Sequence, residues 1–446
     1  MHAIDLIRRK HAGGKLSPAE IVWLVRGVVS GDIPQYQLSA LLMAICYEHL
    51  SFDETVALTR AFVDSGSTLS WPTELGTFVD KHSTGGVGDK ISLILLPLLA
   101  SMGFKVAKMS GRALGHTGGT IDKLESIPGF STNLTQAEML KVIQDVGCCI
   151  VEQSADLVPA DKLFYALRDA TDTVSELGLI AASVMSKKIA CGAPYIVLDV
   201  KCGSGAFFKT LEDSRAFAQL AIRIGEQFGR KVGCVISSME QPLGRATGNA
   251  LEVMEALHFF RETQQVGIHK SLYELGELVT QLGHLVIVLR DYEYAPQNYT
   301  GMLKDSRLSP NSLVGLEHTF KAWIAAQGGD LAAFVSEYAG YFQVAGIDVR
   351  ADTDGFVTSI DVEAVGSLLS GLGAGRSSAK DLIDAKVGLL TEARVGQEVK
   401  SGDKLATLFL GGSGADPKDS ANQIKGTFSI GASCTEPVPI VLETLF

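Results

Sequence analysis

The run from Asp80 to Ser92, DKHSTGGVGDKIS, sets Lys81, His82, Ser83 and Thr84 directly before glycines 85, 86 and 88. Glycines let successive backbone N–H groups turn inward as an anion nest, and Lys81 and Ser83 add charge and a hydroxyl. No G-x-x-x-x-G-K-[ST] pattern can be read there, so this is not a nucleotide P-loop. A solvated glycine turn fits the glycines alone, but the four polar residues beside them favour an anion site. The run from Lys108 to Glu125, KMSGRALGHTGGTIDKLE, repeats the theme. Lys108 and Ser110 follow a strand-like stretch, and Gly118-Gly119 lead into Thr120 near a helix start, where oriented N–H groups suit an anion. Two such loops, each after a strand, can share one phosphate-type group at a sheet edge. Asp122 and Glu125, three apart, read as helix-start charges or structural ligands before they read as an acid–base pair. A third group is Arg168 with Ser183, Lys187 and Lys188. Ser183 and Lys187 are four apart and share a helix face, although a snorkelling lysine and a surface arginine would give the same pattern.

The elements that must carry these residues follow from periodicity. Ser17-Pro18-Ala19-Glu20 is a capping box, followed by Ile21, Leu24, Val25 and Val28 at helical spacing, and Ser51–Glu54 repeats the signal. From about residue 75, buried strand-like runs (FKVAK, CCIV, YIVLDV, KVGCVIS) alternate with helices, and one helix runs from the box Thr135–Glu138 to Gly147. Such alternation argues for a largely parallel sheet with ligand loops at the strand C-termini. The first lysine cluster is expected to follow a short strand, Gly76–Val79. Residues 160–193 read as helix again, so the chain is expected to rejoin the N-terminal lobe. Beyond about residue 345, GFVTSIDV, VGLL, GQEV and DKLATLF read as a small α+β module. The expected class is α/β: a helical domain (1–66 and 160–193), a larger α/β domain with a mostly parallel sheet (75–155 and 194–340), and a barrel-sandwich-like module (345–446).

Composition narrows the functions. The hydrophobic fraction of 46% and charged fraction of 20% are those of a globular protein. Fifty acids against 39 bases give a formal charge of −11, which disfavours general nucleic-acid binding. Forty-seven glycines exceed the usual fraction of ~7% without any low-complexity tract, a sign of tight loops and close backbone approach. Seven cysteines without metal-type spacing read as buried thiols. The stretch Ile91–Phe104 is too short to span a bilayer and contains Pro97. With a charged N-terminal segment, a soluble, reduced, cytoplasmic protein is expected.

Taken together, SGRALGHTGGTIDKLE, DKHSTGGVGDK, QSADLVPADKLFYALRD, SVMSKKIA, VLDVKCGSGAF, QPLGRATGNALEVMEAL and, weakly, LGAGR resemble the thymidine and pyrimidine-nucleoside phosphorylases, in the same order along nearly the whole chain. The resemblance implies a homodimer with its site in an interlobe cleft. It also implies reversible phosphorolysis of pyrimidine nucleosides to free base and (deoxy)ribose 1-phosphate, with inorganic phosphate as co-substrate and no other cofactor. Phosphate would be held by Lys81, Ser83, Ser92, Lys108, Ser110 and Thr120. The base would be held by Arg168, Ser183 and Lys187, with His82 over its O2. The chemistry agrees: breaking the C1′–N1 bond leaves an oxocarbenium-like sugar and an anionic pyrimidine, which cations or a proton donor must neutralise, a task for Arg168, Lys187 and His82.

Some positions depart from the family pattern. A potassium site would involve Gly88, Leu243, Ala246 and Glu255. Lys90 stands where many bacterial members have threonine, so its ammonium is expected to replace the ion. Glu152 replaces a usual glycine, Asp172 a usual alanine and Ala113 a usual glycine. Lys108-Met109-Ser110 resembles the broad-specificity members, whereas Lys90 and the GCCIV run resemble the thymidine-specific animal ones, so restriction to 2′-deoxynucleosides is the open alternative. Two remoter readings are an anthranilate phosphoribosyltransferase, which would need a spare acidic pair for diphosphate and magnesium, and a biotin or lipoyl carrier, which would need a Met-Lys-Met-like site.

Overall fold

The computed structural model describes residues 1–112, 118–154, 156–266, 273–291, 315–376 and 381–446; Ala113 lies outside them. Helices α1 (Ala3–His11), α2 (Pro18–Ser30), α3 (Gln35–Glu48) and α4 (Phe52–Val63) open the chain. The capping boxes before α2 and α4 both form, with Ser17 and Ser51 accepting from the Glu20 and Glu54 backbone. Leu24, Leu41, Leu42, Leu58 and Phe62 fill the helical core. Within it Glu54 receives the Lys10 ammonium at 3.0 Å and the Leu16 N–H at 2.9 Å, so neither charge is buried unpaired.

The chain then builds β1 (Phe78–Ser83), α5 (Ile91–Ser101), β2 (Lys105–Ser110), α6 (Thr120–Glu125), α7 (Gln136–Val146) and β3 (Cys148–Glu152). It re-enters the helical lobe through α8 (Pro159–Ala170) and α9 (Leu177–Ala190), as the helical reading of 160–193 expected. It returns with β4 (Tyr195–Cys202), α10 (Leu211–Gln227), β5 (Lys231–Ser238), a two-residue β6 (Ala246–Thr247), α11 (Asn249–Val266) and α12 (Tyr273–Asp291). β5, β4, β1, β2 and β3 lie parallel in that order. β1 leads outward to β2 and β3, while β4 inserts on its other side. The order therefore reverses between β1 and β4, and the crevice beyond their C-terminal ends is where such sheets bind ligands. Helix α5 is apolar all round because it is buried on every side; Leu93 to Leu96 are fully covered. No described helix is long and apolar enough to cross a membrane.

Two expectations are corrected. β1 extends through Ser83, not Val79, because pairing with β4 continues to Ser83 opposite Asp199. Lys81, His82 and Ser83 are therefore strand residues whose alternation sends neighbours to opposite faces. Nor does the C-terminal module hold together to its end. It comprises β7 (Ile347–Arg350), β8 (Gly355–Ile360), β9 (Val387–Thr391), β10 (Glu398–Val399), β11 (Lys404–Leu410) and β12 (Phe428–Gly431) in sheets β10-β8-β12 and β6-β9-β11-β7. Residues Val441–Leu445 leave it and cover the edge of β5 as an antiparallel strand. β6 makes the reverse exchange, pairing with β9 from within the α/β segment.

The crossings between the lobes are bound to one another. Leu69 N–H donates to Ala190 O at 2.8 Å, the Trp71 indole to Cys191 O at 2.7 Å, and Ser67 N–H to Asp156 O at 2.9 Å. At Gly192, φ is +83° and a Cβ would lie 2.1 Å from Leu69 O, so only glycine fits.

The far edge of the sheet is closed by a side chain. Gln327 follows the helix Leu316–Ala326, and its Oε1 accepts from Ile150 N–H at 3.0 Å and from the Trp323 indole at 2.6 Å. Its Nε2 donates to the carbonyls of Ile150 and Ser131, both at 2.8 Å. Gln327→Leu keeps the volume but strips these buried groups of partners. It should cost about 2–4 kcal/mol of stability, read as a lowered midpoint in guanidinium denaturation; an unchanged midpoint would refute this role.

Candidate active site

A cavity of about 590 Å³ opens between the C-terminal ends of β1 and β2 on one side and α8 and α9 on the other. Its α/β wall is His82, Ser83, Ser92, Lys108, Ser110 and Thr120 with Gly118 and Gly119; its helical wall includes Asp161, Tyr165, Lys187 and Lys188. The two glycine runs thus meet across a single space. Lys81 lies beneath the floor, fully buried, with Nζ 3.2 Å from Ser92 Oγ and 3.8 Å from the Asp199 carboxylate.

The floor is a buried array of charges. Asp199 takes Lys201 at 2.7 Å and the Ser237 hydroxyl at 2.6 Å. Asp89 accepts from Ser83 Oγ at 2.6 Å, with Lys201 at 3.9 Å. Against the cost of burial, Lys201, Lys81 and Lys123 hold the Asp89 carboxyl far below the usual range. Lys123 pairs with Glu252 at 2.9 Å and donates to Asp89 O. Lys188 pairs with Asp80 at 2.9 Å, which outweighs its burial and raises its pKa. Lys108, 3% exposed, has no carboxylate partner among the described residues and donates to Lys81 O at 3.0 Å. Burial, and then Lys188 and Lys81, push its pKa down to about 7. His82 is half-buried among lysines; burial and the charges of Lys188, Lys108, Lys187 and Lys81 put it well below the ordinary imidazole range. It is therefore a neutral ring near pH 7, able to donate one N–H hydrogen bond.

On the helical side, Lys187 pairs with Asp161 at 2.6 Å and donates to Ser183 Oγ at 2.9 Å, as their four-residue spacing allows. Arg168 and Ser183 are buried and do not line the cavity. The Arg168 guanidinium is turned into the lobe, donating to the carbonyls of Thr173, Leu179 and Val174. Tyr165 stands beside both cations, its ring centre 5.7 Å from Lys187 Nζ and 5.8 Å from the Arg168 carbon. Asp161 and Tyr165 escaped the sequence reading, yet their spacing from Arg168 (161, 165, 168) marks one helix face. Asp199 and Lys201, inside an apolar strand, carried no local signal.

Lys90 is fully buried, and its ammonium sits 2.6 Å from Leu243 O, 2.9 Å from Ala246 O and 2.8 Å from a Glu255 carboxylate oxygen. Gly88 lies against the same Leu243 carbonyl: a Cβ there would come within 2.8 Å of it.

Glycosyl transferase family models match the chain twice, a helical bundle domain over residues 4–66 and an a/b domain over 75–297. The model of a pyrimidine nucleoside phosphorylase C-terminal domain matches residues 356–431. The chain is 45% identical over 410 residues to a pyrimidine-nucleoside phosphorylase of Geobacillus stearothermophilus, covering 92% of each. It is 41% identical over 440 residues to one of Staphylococcus haemolyticus, covering 99% of each. Among solved structures, the anthranilate phosphoribosyltransferase of Thermus thermophilus superposes with a TM-score of 0.53 at 17% identity, over 72% of this chain and 99% of that one, a likeness of fold. With matching models in all three of its parts and this identity along its length, the chain belongs to the pyrimidine-nucleoside phosphorylase family, whose members are pentosyltransferases.

Proposed function

We propose that this enzyme catalyses the reversible phosphorolysis of thymidine, deoxyuridine and uridine, with inorganic phosphate attacking C1′ to give free base and (2-deoxy)ribose 1-phosphate. The observation that carries the reading is Lys108, a desolvated cation without a carboxylate partner, set among the Ser83, Ser92, Ser110 and Thr120 hydroxyls and facing Lys187 across one cavity. A phosphate dianion there replaces its lost water with charge-assisted hydrogen bonds, and Lys81 adds charge from below. The base lies toward α8 and α9. As the C1′–N1 bond breaks, charge collects on the pyrimidine oxygens, and Lys187 is placed to stabilise it. His82, being neutral, contributes a hydrogen bond to O2. Asp161 keeps one carboxylate oxygen without a hydrogen-bond partner, free for the N3–H of the ring. Ser183 is held by Lys187, and lobe closure would bring that wall up to the phosphate, whereas Arg168 would reach the base only by releasing the carbonyls of Thr173, Val174 and Leu179 and turning outward.

No organic cofactor enters this scheme. Lys90 serves as the built-in substitute for a potassium ion, a reading supported by the three oxygens that surround its ammonium. The enzyme works as a homodimer, and the helical lobe offers the surface: Tyr36, Ala40, Met43 and Tyr47 form one exposed stripe of α3, with Tyr36 and Tyr47 74% and 78% exposed. A second copy of this chain would cover it. In sedimentation the protein should run as a dimer, and the pair Met43→Glu with Tyr47→Glu should give monomers; a native monomer would refute this assembly.

Free-base release from thymidine, deoxyuridine and uridine should depend on phosphate and persist when potassium is exchanged for tetramethylammonium. Release from the two deoxynucleosides alone would select the narrower enzyme. Absence of phosphate-dependent release from all three would overturn the proposal, and a strong potassium requirement would overturn the role of Lys90.

The pKa of Lys108 gives this site a pH signature. It lies below the ordinary lysine value, at about 7, so the ammonium is complete only well below pH 7 and is lost as pH rises through it. An anion that needs the ammonium must then bring back a proton. Sulfate, which does not titrate in this range, should lose affinity about tenfold per unit above pH 8. Lys108→Arg, always charged, should flatten the profile. A native profile flat from pH 7 to 9 would refute the assignment.

A further inference from the structure

Arg112 lines the cavity between the two phosphate loops, yet its guanidinium is wholly occupied elsewhere. Nε and Nη2 donate to the two oxygens of Glu152, both at 2.8 Å. Nη1 and Nη2 donate to Glu125 at 2.5 and 2.8 Å, and Nη1 also reaches Asp122 at 3.5 Å. An arginine has five N–H donors, and these contacts use all five. The hydrogen bonds to Glu125 and Glu152 raise the Arg112 pKa still further, so the group stays charged.

The three carboxylates come from the elements that frame the anion site. Ser110 and Glu152 are direct partners across β2 and β3, and Arg112 follows Ser110 by two residues. Asp122 and Glu125 follow Thr120 by two and five residues on α6. Glu152 is tied down in turn, its N–H donating to Thr132 O at 3.0 Å, while the Thr132 hydroxyl donates to Glu125. Asp122 is fully buried and also receives Arg376 of the C-terminal module at 2.5 Å. One guanidinium thus joins the exit of β2, the end of β3 and both the first turn and the last residue of α6, and through Asp122 it reaches the third part of the chain.

We propose that Glu152, acting through Arg112, is a positioning residue for phosphate: the two-forked clamp fixes the spacing between Ser110 and Thr120 so that both hydroxyls meet one anion. Glu152 touches no substrate. The inference rests on reading Ser110 and Thr120 as phosphate ligands.

The sign of the effect separates positioning from simple charge. Removing a carboxylate near an anion site strengthens anion binding if electrostatics alone operates. Loosening the clamp weakens it. Glu152 is 41% exposed in its side chain, so Glu152→Gln leaves the fold in place. This variant should raise the KM for phosphate about five- to tenfold, the loss of one charge-assisted fork. Its kcat and its KM for thymidine should stay within about twofold of the native values. Arg112→Gln should show the same split, and the double variant should be no worse than either single one. Titration calorimetry with inorganic phosphate alone gives the same comparison without turnover. If native enzyme releases no base but phosphate binding still weakens in Glu152→Gln, the functional reading fails and the clamp stands. Unchanged phosphate binding, tighter phosphate binding, or equal losses in kcat and both KM values would each overturn the proposal.

Discussion

Among the described residues, six lysine ammonium groups are buried around the strand ends, Lys81, Lys90, Lys108, Lys123, Lys188 and Lys201, and five buried carboxylates answer them: Asp80, Asp89, Asp199, Glu252 and Glu255. A desolvated charge is tolerated only when it is paired and hydrogen-bonded. Lys188, Lys123 and Lys90 meet that condition with carboxylates at 2.8–2.9 Å, Lys201 is paired with Asp199 at 2.7 Å without a well-aligned hydrogen bond, and Lys81 lies 3.8 Å from the same Asp199. Lys108 does not meet that condition, and its pKa near 7 expresses the imbalance. In the proposed reaction, the missing counter-charge is what the incoming phosphate dianion would supply. The rest of the architecture can be understood as the scaffold needed to hold that imbalance. β4 must insert beside β1 so that Asp199 reaches Lys81, and α9 must pack close enough for Lys188 to reach Asp80 and raise the local potential.

The helical lobe solves a different problem. In the proposed reaction its cations would meet a base that becomes anionic only as the bond breaks, and they are held by groups that can be exchanged. Lys187 rests on Asp161 and Ser183, while Arg168 holds two carbonyls of the turn between α8 and α9, Thr173 and Val174, and the Leu179 carbonyl in the first turn of α9. That turn begins at Asp172, whose φ of +53° is a left-handed conformation that aspartate tolerates better than most side chains. The hydrogen bonds at Leu69, Trp71 and Ser67 tie the crossings between the lobes to one another.

How much of this was legible depended on distance along the chain. The glycine loops marked Lys81, Ser83, Lys108, Ser110 and Thr120 because lysine and hydroxyl residues beside glycines form a local pattern. Three capping boxes likewise named their own helices, and all three form. Asp199 and Lys201 were invisible because they sit in YIVLDVKC, where burial is evident but their contacts with Lys81 and Asp89 arise only when β4 lands beside β1. The end of β1 was misplaced for the same reason: Lys-His-Ser has weak strand preference, and pairing with β4 overrode it. The final strand was assigned to its neighbours in sequence, whereas the open edge of β5 claimed it. Arg168 was chosen by type, but its orientation follows from the packing of the whole lobe.

The fold alone does not decide the chemistry, since an anthranilate phosphoribosyltransferase shares it. A phosphoribosyl donor presents a diphosphate with a divalent cation, and a site for it needs carboxylates free to face that cation. Here the acidic residues near the loops are committed elsewhere. Asp89 holds Ser83 and lies against Lys201, Asp122 takes Arg376, and Glu125 and Glu152 grip Arg112. Asp161 is bound to Lys187 on the opposite wall. The cavity is lined by Lys108, Lys187 and Lys188 with the Ser83, Ser92, Ser110 and Thr120 hydroxyls and the committed Asp89, a set that suits the single phosphate of the proposed reaction. The same commitments bear on how so acidic a protein could take the dianion of the proposed reaction: its formal charge is −11, but the carboxylates beside the site each lie against a lysine or an arginine.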